Sequence, residues 1–275
     1  MKFQKITITL LSLLFSVLLF AQNTAKVSPL TIGEEVVLES RVLKDSRILN
    51  VYLPYGYSED AVTTYPVIYV LDGSMEEDFI HISGLVQFGS FSWINMLPPS
   101  IVVGIANVDR KRDFTYPSNN QLDQEEFPTS GHSEVFIQFI QEEVQPYVES
   151  RYRTTSQKTV IGQSLGGLLA TEILLKHPEV FDNYIIVSPS LWWDDESLLG
   201  YKGKAYANPK AIYIAVGKEG EVMERIAKDL YETLKGTQPE HTQLYFKYFE
   251  HQDHGDTLHL AVYNAFEQLF APKQE

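Results

Sequence analysis

The sequence contains no cysteine. It therefore forms no disulfide bond, carries no thiol nucleophile and has no cysteine for lipid attachment. Basic residues are also scarce, because 22 Lys and Arg stand against 36 Asp and Glu, which gives a formal net charge of −14. Nucleic acids and anionic membrane surfaces attract basic patches, so this charge argues against both classes of partner. The chain also lacks internal repeats and low-complexity tracts, which favours a single folded domain.

A long apolar run occurs near the N-terminus. Lys2 and Lys5 precede an apolar run over residues 6–20, and the small residue Ala21 follows it. This is the pattern of a secretory signal peptide, and the run is shorter than the ~20 apolar residues that a membrane-spanning helix needs. We expect residues 1–21 to be removed and residues 22–275 to be exported as one domain, to the periplasm or the medium, with no membrane attachment. An uncleaved anchor is the alternative.

The rest of the chain alternates segments of strand character with segments of helical character. Six short apolar segments have the composition of buried strands: 66–71, 101–105, 159–161, 184–187, 211–216 and 244–249. Five segments have apolar residues at helical spacing or lie where a helix should follow a strand: 75–84, 133–152, 168–177, 221–235 and 257–270. This alternation predicts an α/β fold with a mostly parallel sheet and helices on both faces. Residues 35–43 and 46–53 predict an antiparallel edge at the N-terminal side.

The segment 158–167, KTVIGQSLGG, carries the strongest functional signal. Residues 162–166 (GQSLG) fit the pattern G-x-S-x-G, in which a serine lies on a sharp turn between a strand and a helix. Because an apolar strand precedes the motif and residues 168–177 predict a helix after it, we interpret Ser164 as a nucleophile. The N–H of Leu165 is then one donor of an oxyanion hole. An ordinary strand-to-helix loop is the alternative.

A serine hydroxyl needs a base, and in this arrangement an acid and then a histidine follow the serine along the chain. His254 follows the last predicted strand and precedes Gly255, so we assign it as the base, with His251 as the rival. The acid should follow the preceding strand, where Glu219 and Glu221 both occur. We favour Glu219, because Glu221 also suits the first turn of the next helix as a favourable charge.

The remaining candidate site residues lie near the ends of other predicted strands. Gly73 allows close backbone approach, so we assign its N–H as the second oxyanion donor, with Asp72 as a substitute, a substrate contact or simply a turn residue. The pair Trp192-Trp193 is interpreted as the lining of a substrate pocket, and loop packing explains the pair equally well.

The histidines and carboxylates of residues 251–256 are of metal-ligating types. Their spacing matches no metal motif, so we expect neither a metal nor a cofactor.

Taken together, these motifs resemble the Putative esterase (esterase D-like) family of α/β-hydrolases, over most of the chain. The segments that carry the resemblance are 65–73 (YPVIYVLDG), 110–117 (RKRDFTYP), 152–155 (YRTT) with the serine motif after it, 188–193 (SPSLWW) and 253–255 (DHG). The resemblance implies an α/β-hydrolase fold and a serine carboxylesterase with Ser164 and His254 as its catalytic pair. Siderophore trilactone esterases are the members it resembles most. Gln163 stands where histidine is common in that family, so we expect it to alter the substrate pocket.

The sequence therefore predicts an exported serine esterase that hydrolyses an ester of a small molecule or of a polysaccharide through an acyl-enzyme. Two other functions are compatible with the same residues. An acyltransferase would pass the acyl group to a hydroxyl other than water, and a non-catalytic binding protein would keep the fold without the chemistry. The oligomeric state is left open.

Overall fold

A computed structural model describes residues 25–272 of the chain. The chain divides into two units, Met1–Ile32 and Gly33–Glu275. The described part of the first unit, residues 25–32, has no regular secondary structure. The predicted signal peptide, residues 1–21, lies outside the described residues, so export stays a prediction. The second unit carries all of the elements below.

Eight strands form one mixed sheet in the order β1-β2-β4-β3-β5-β6-β7-β8. The first two pairings, β1 with β2 and β2 with β4, are antiparallel, and the remaining pairings are parallel. This is the mostly parallel sheet with an antiparallel N-terminal edge that the sequence predicts. The strands are β1 Glu34–Glu39, β2 Ser46–Tyr52, β3 Tyr65–Leu71, β4 Ile101–Ile105, β5 Thr154–Gln163, β6 Asn183–Val187, β7 Ala211–Gly217 and β8 Gln243–Phe249.

Helices connect the strands and cover the sheet. They are α1 Phe79–Gly89, α2 Arg110–Phe114, α3 Gln121–Glu126, α4 Ser133–Phe139, α5 Gln145–Arg151, α6 Leu165–Lys176, α7 Trp193–Glu196, α8 Glu221–Thr237 and α9 Thr257–Leu269. A π-helical turn, Ile140–Val144, joins α4 to α5, and a 3₁₀ turn, Ser197–Gly200, follows α7. In the described part of the chain, no helix has the length and apolar character needed to cross a bilayer.

Both faces of the sheet are buried, because successive side chains of a strand point to opposite sides. In β3, Val67 and Tyr69 belong to a core that includes apolar residues of α4, α6 and α8. Their neighbours Ile68 and Val70 belong to a second core with apolar residues of α1 and α9. The continuous apolar strands of the sequence are therefore explained by helices on both faces.

Two predicted helices differ from those observed. The helix expected over 133–152 is interrupted by the π-helical turn just before Pro146, whose missing N–H prevents a regular helical hydrogen bond there. The helix expected over 75–84 begins only at Phe79, since the chain first makes a turn in which the Asp78 N–H donates to the Asp72 carbonyl at 3.1 Å. The short helices α2, α3 and α7 were not predicted, because they are too short to show a period.

The loop after β3 lies directly against β4. A Cβ added to Gly104 of β4 would overlap the carbonyl oxygen of Gly73 and lie 2.9 Å from Cδ2 of Phe79. A Cβ added to Gly73 would likewise overlap the Gly104 backbone. Only glycine fits at this contact, so the contact fixes the loop that follows β3.

We predict that Gly104→Ala lowers the free energy of unfolding by about 1–3 kcal/mol, because the backbone on one side of the new methyl group is rigid. Gly84→Ala is the matched control: Gly84 lies inside α1 with open space around its Cα. That substitution should stabilise the protein by about 0.5–1 kcal/mol, through the helix propensity of alanine. Urea unfolding followed by circular dichroism measures both. Equal effects of the two substitutions would contradict the close contact.

Candidate active site

Six strand ends lie at one edge of the sheet. Strands β3 to β8 are mutually parallel, so their carboxyl ends lie on the same side. Ser164 follows β5, Glu219 follows β7 and His254 follows β8. An open cavity of about 530 Å³ borders Lys218, Glu219 and His254 at this edge. The edge therefore carries the predicted nucleophile, acid and base.

Ser164 occupies a strained turn between β5 and α6. Its φ of 59° and ψ of −120° are unusual for a residue with a side chain, and such conformations cost about 1–3 kcal/mol. A Cβ on Gly162 would overlap the carbonyl oxygen of Gly166, so the motif glycine lets α6 begin against the strand. The turn places the serine at the N-terminus of α6, where the first N–H groups have no partner within the helix.

Glu219 and His254 form a direct pair. Oε2 of Glu219 lies 2.5 Å from Nδ1 of His254. The carboxylate is 2% exposed, whereas the imidazole is 48% exposed. The other carboxylate oxygen accepts hydrogen bonds from Ser188 Oγ at 2.5 Å and from the Gly217 N–H at 2.8 Å. A buried carboxylate with this many donors is held in one orientation, and it orients the ring of His254 in turn.

These contacts shift the ionisation of both groups. Burial alone would raise the pKa of Glu219, but the hydrogen bonds from His254, Ser188 and Gly217 outweigh it, so this pKa is lowered. The hydrogen bond to Glu219 raises the pKa of His254 above its ordinary value of 6.5, against the opposing effect of burial. Glu219 is therefore a carboxylate at neutral pH, and His254 gains affinity for a proton, as a general base requires.

The rival residues lie elsewhere. The ring of His251 is 82% exposed and has Glu250 as its neighbour, with Nε2 3.3 Å from Oε1. Glu221 is exposed on the first turn of α8, which is the helix-end position that its alternative interpretation describes. Within residues 25–272 no group of three or more His, Asp or Glu side chains is arranged to hold a metal ion.

A turn after β6 contacts both the nucleophile and the acid. Ser188 donates to Glu219, as above, and Ser190 Oγ lies 3.3 Å from Ser164 Oγ. The Ser190 N–H also donates to the Ser164 carbonyl at 3.0 Å. Among the described residues, Ser190 is the hydrogen-bond partner of the Ser164 hydroxyl, and the structure records no bond from that hydroxyl to His254. In the sequence, these two serines are marked only by the family motif SPSLWW at residues 188–193.

The oxyanion assignment needs one correction. Leu165 is the first residue of α6, as the predicted donor position requires. Gly73, in contrast, already donates its N–H to the Ile105 carbonyl at 3.0 Å, so this group is not free for a substrate oxygen. Within the described residues no acceptor is recorded for the N–H of Ser74, the next residue. Ser74 is therefore the better candidate for the second donor.

Asp72 forms an ion pair with Arg110, which sequence reasoning did not single out. The contact is bidentate, with Nε 2.6 Å from Oδ1 and Nη2 2.9 Å from Oδ2. Arg110 Nη2 also donates to the carbonyl of Gln163 at 3.1 Å, and Asn107 Nδ2 donates to Asp72 Oδ1 at 2.6 Å. The ion pair thus connects the loop after β3 to Gln163, the residue before the nucleophile. In this structure Asp72 holds Arg110 in position against that residue.

Gln163 contacts the loop that carries the base. Its side-chain Nε2 donates to the His254 carbonyl at 2.6 Å. Since its backbone carbonyl accepts from Arg110, this residue contacts both sides of the site. The sequence placed Gln163 in the substrate pocket, and the structure places its side chain against the His254 loop.

The two tryptophans differ in burial. Trp193 is fully buried and donates its indole N–H to the Tyr116 carbonyl at 2.8 Å. It cannot line a substrate pocket in this structure, so the pocket interpretation is wrong for Trp193 and the packing alternative describes it. Trp192 is partly buried and packs beside Trp193 and Phe127, with ring centroids 6.2 and 6.1 Å apart.

Comparison with known proteins agrees with this geometry. The family model described as "Putative esterase" matches residues 40–273. The Ferri-bacillibactin esterase BesA of Bacillus subtilis (strain 168) is 28% identical over 264 residues, which cover 87% of this chain and 90% of that protein.

Two solved structures are similar over most of their length. The IroE-like serine hydrolase from Shewanella oneidensis is 27% identical, has a TM-score of 0.76, and the match covers 86% of this chain and 80% of that one. The BES protein from Bacillus cereus is 25% identical, has a TM-score of 0.77, and the match covers 91% of this chain and 100% of that one. The predicted α/β-hydrolase fold and the predicted resemblance are thereby confirmed. The chain belongs to the Putative esterase family and is a serine esterase.

Proposed function

We propose that Ser164, His254 and Glu219 act as a catalytic triad that hydrolyses a carboxylic ester through an acyl-enzyme. The observation that carries this proposal is the buried Glu219 carboxylate on Nδ1 of His254, at the same sheet edge as the strained turn of Ser164. Because Glu219 occupies Nδ1, Nε2 of the same ring is the nitrogen that accepts the proton of Ser164. The raised pKa of His254 suits a group that must accept the serine proton.

In the first half of the reaction, Ser164 Oγ attacks the ester carbonyl carbon while His254 Nε2 takes the hydroxyl proton. The carbonyl π electrons move to oxygen, where the N–H groups of Leu165 and Ser74 stabilise the negative charge. Glu219 stabilises the imidazolium. The C–O bond to the alcohol then breaks, and His254 returns the proton to the leaving oxygen. The Ser164 hydroxyl must first leave its contact with Ser190 and turn towards the ring.

In the second half, a water molecule replaces the departed alcohol. His254 accepts a proton from the water as its oxygen attacks the acyl carbon, and the same oxyanion donors stabilise the intermediate. Collapse breaks the bond to Ser164 Oγ, which recovers the proton from His254. The products are an acid and an alcohol, and no cofactor takes part.

We further propose a siderophore ester as the substrate class. The support is the similarity to the Ferri-bacillibactin esterase over 87% of this chain, together with a cavity of about 530 Å³ that is open beside His254. Such a cavity has the size that small-molecule sites commonly have. Incubation of the purified protein with a siderophore trilactone, with and without iron, followed by mass spectrometry, tests this. Cleavage of p-nitrophenyl acetate without cleavage of any trilactone would reject the substrate while keeping the esterase.

Ser164→Ala should abolish ester hydrolysis, since loss of a triad nucleophile can lower turnover on the order of 10⁶-fold. Hydrolysis of p-nitrophenyl acetate measures the effect. Ser92→Ala, at an exposed serine outside the site, is the matched control and should retain full activity. A Ser164→Ala protein that is folded by circular dichroism and keeps activity within a factor of about ten would contradict the mechanism.

The dependence of kcat/KM on pH should show one acidic limb governed by His254. Catalysis needs the neutral ring, and the Glu219 hydrogen bond raises the pKa of this ring. Activity should therefore fall as the pH drops through a value above 6.5, the ordinary pKa of histidine. Glu219→Gln removes the charge that stabilises the imidazolium, so the limb should move to lower pH. A limb that stays in place in Glu219→Gln would show that Glu219 does not act on His254.

Glu219→Gln should also lower the activity plateau far more than Glu221→Gln. Loss of an orienting carboxylate can cost about 10⁴-fold in turnover. Glu221 is exposed on α8, so its substitution should change activity by less than about threefold, as a surface substitution usually does. Steady-state kinetics at the pH optimum of each variant separates the two. A larger loss of activity in Glu221→Gln than in Glu219→Gln would show that Glu219 is not the acid.

A further inference from the structure

A second cavity, of about 360 Å³, lies far from Ser164. It is formed by the last turns of α6 and α8 and by the segment 198–206, which closes over them. Leu174 lies nine positions after Leu165 along α6, so this cavity begins about 14 Å along the helix from the start of α6. It is thus separate from the catalytic cavity, and its role does not depend on the proposed triad.

The walls of this second cavity are mainly apolar. Leucines from three elements line it, and Tyr201 and Tyr206 add aromatic surface; the leucines are Leu174, Leu175, Leu198, Leu199, Leu230 and Leu234. Protein interiors are close-packed and rarely hold empty apolar spaces larger than a water molecule. A cavity of this size with apolar walls has the character of a small-molecule site.

One buried polar side chain, that of Gln238, lies in the wall of the cavity. Oε1 of Gln238 is buried and has no hydrogen-bond partner among the described residues, although the residue lines the cavity. A buried polar atom without a partner costs about 1–3 kcal/mol, so a ligand that supplied the partner would be favoured. Oxygen and nitrogen of a glutamine amide exchange places by rotation of the amide, so this buried position can equally present an N–H donor.

Two cations lie at the same cavity. Lys202 and Lys204 line it and are exposed. In the described part of the chain the lysines that form ion pairs are Lys158 and Lys176, and neither Lys202 nor Lys204 is among them. Lys202 and Lys204 thus have no carboxylate partner among the described residues that would compete with a ligand, and two cations at the edge of an apolar cavity favour an anionic head group.

We propose that this cavity binds an amphipathic carboxylate, with its apolar chain among the leucines and its carboxylate at Lys202, Lys204 and Gln238. The segment 198–206 supplies one wall of the cavity and both lysines. It is joined to α6 by the Lys204 N–H, which donates to the Leu175 carbonyl at 2.8 Å. A ligand there would contact the final turns of α6 and α8, the two helices whose first turns follow Ser164 and Glu219.

Isothermal titration of the folded protein with octanoate tests the proposal, with octylammonium as a probe of equal chain length and opposite charge. Octanoate should bind and octylammonium should bind at least about fivefold more weakly, since each exposed ion pair contributes up to ~1 kcal/mol. The double substitution Lys202→Gln and Lys204→Gln should weaken octanoate binding by about fivefold or more. Lys228→Gln, at an exposed lysine of α8 outside the cavity, is the matched control and should change nothing.

Substitutions that fill the cavity provide a second test of the proposal. Thr237→Trp and Thr233→Trp each add an indole from an exposed position that lines the cavity, so each should reduce octanoate binding by about tenfold or more while the fold and the ester hydrolysis persist. Octanoate binding that neither substitution alters would place the ligand elsewhere and overturn the proposal. Equal affinity for octanoate and octylammonium, or no heat with either, would also overturn it.

Discussion

Every residue of β6 and β7 is buried, so neither of these strands has a face open to solvent. Parallel strands covered on both sides are joined by helical crossovers, so one strand after another ends at the same edge. The nucleophile, the acid and the base follow three such ends, although up to 90 residues separate them in the chain. Burial of the sheet therefore assembles the site, and the loops need only supply short, well-held turns.

Two of these turns are strained, and neighbouring strand ends hold them in place. Ser164 and Ser188 both have positive φ, at 59° and 45°. The Ser164 N–H donates to the Val187 carbonyl at 3.0 Å, and the Ser188 N–H donates to the Ala215 carbonyl at 2.7 Å. Each turn is thus bonded to the next strand of the sheet. Because the strain is offset by these bonds in the folded state, the nucleophile and the support of Glu219 are positioned before a substrate arrives.

The sequence predicted the parts of the site that depend on local pattern and chain order. The elbow of Ser164 has a local motif, and the order of acid and base after it follows from the strand sequence. The sequence therefore favoured Glu219 and His254 as acid and base, and the two are in contact. The Arg110 pair with Asp72 and the occupied N–H of Gly73 depend on how distant loops meet, and neither has a local signal. The burial of Trp193 could not be predicted for a similar reason. A tryptophan after a strand has the same sequence pattern whether it lines a pocket or is buried beneath a loop.

The two carboxylates of the site, Asp72 and Glu219, have partners of different kinds. Asp72 is paired with Arg110, which stays protonated at all working pH values, whereas Glu219 is paired with a histidine that titrates. Asp78, at the start of α1, is a further group with a shifted pKa: burial first, and then the charges of Asp72 and Glu77, raise its pKa to about 6. The pKa of His254 is raised above its ordinary value of 6.5 by the hydrogen bond to Glu219, and this ring must be neutral to accept the serine proton. As the pH falls, the base is lost when the His254 ring takes up a proton, so the acidic limit of activity reports on the His254–Glu219 pair.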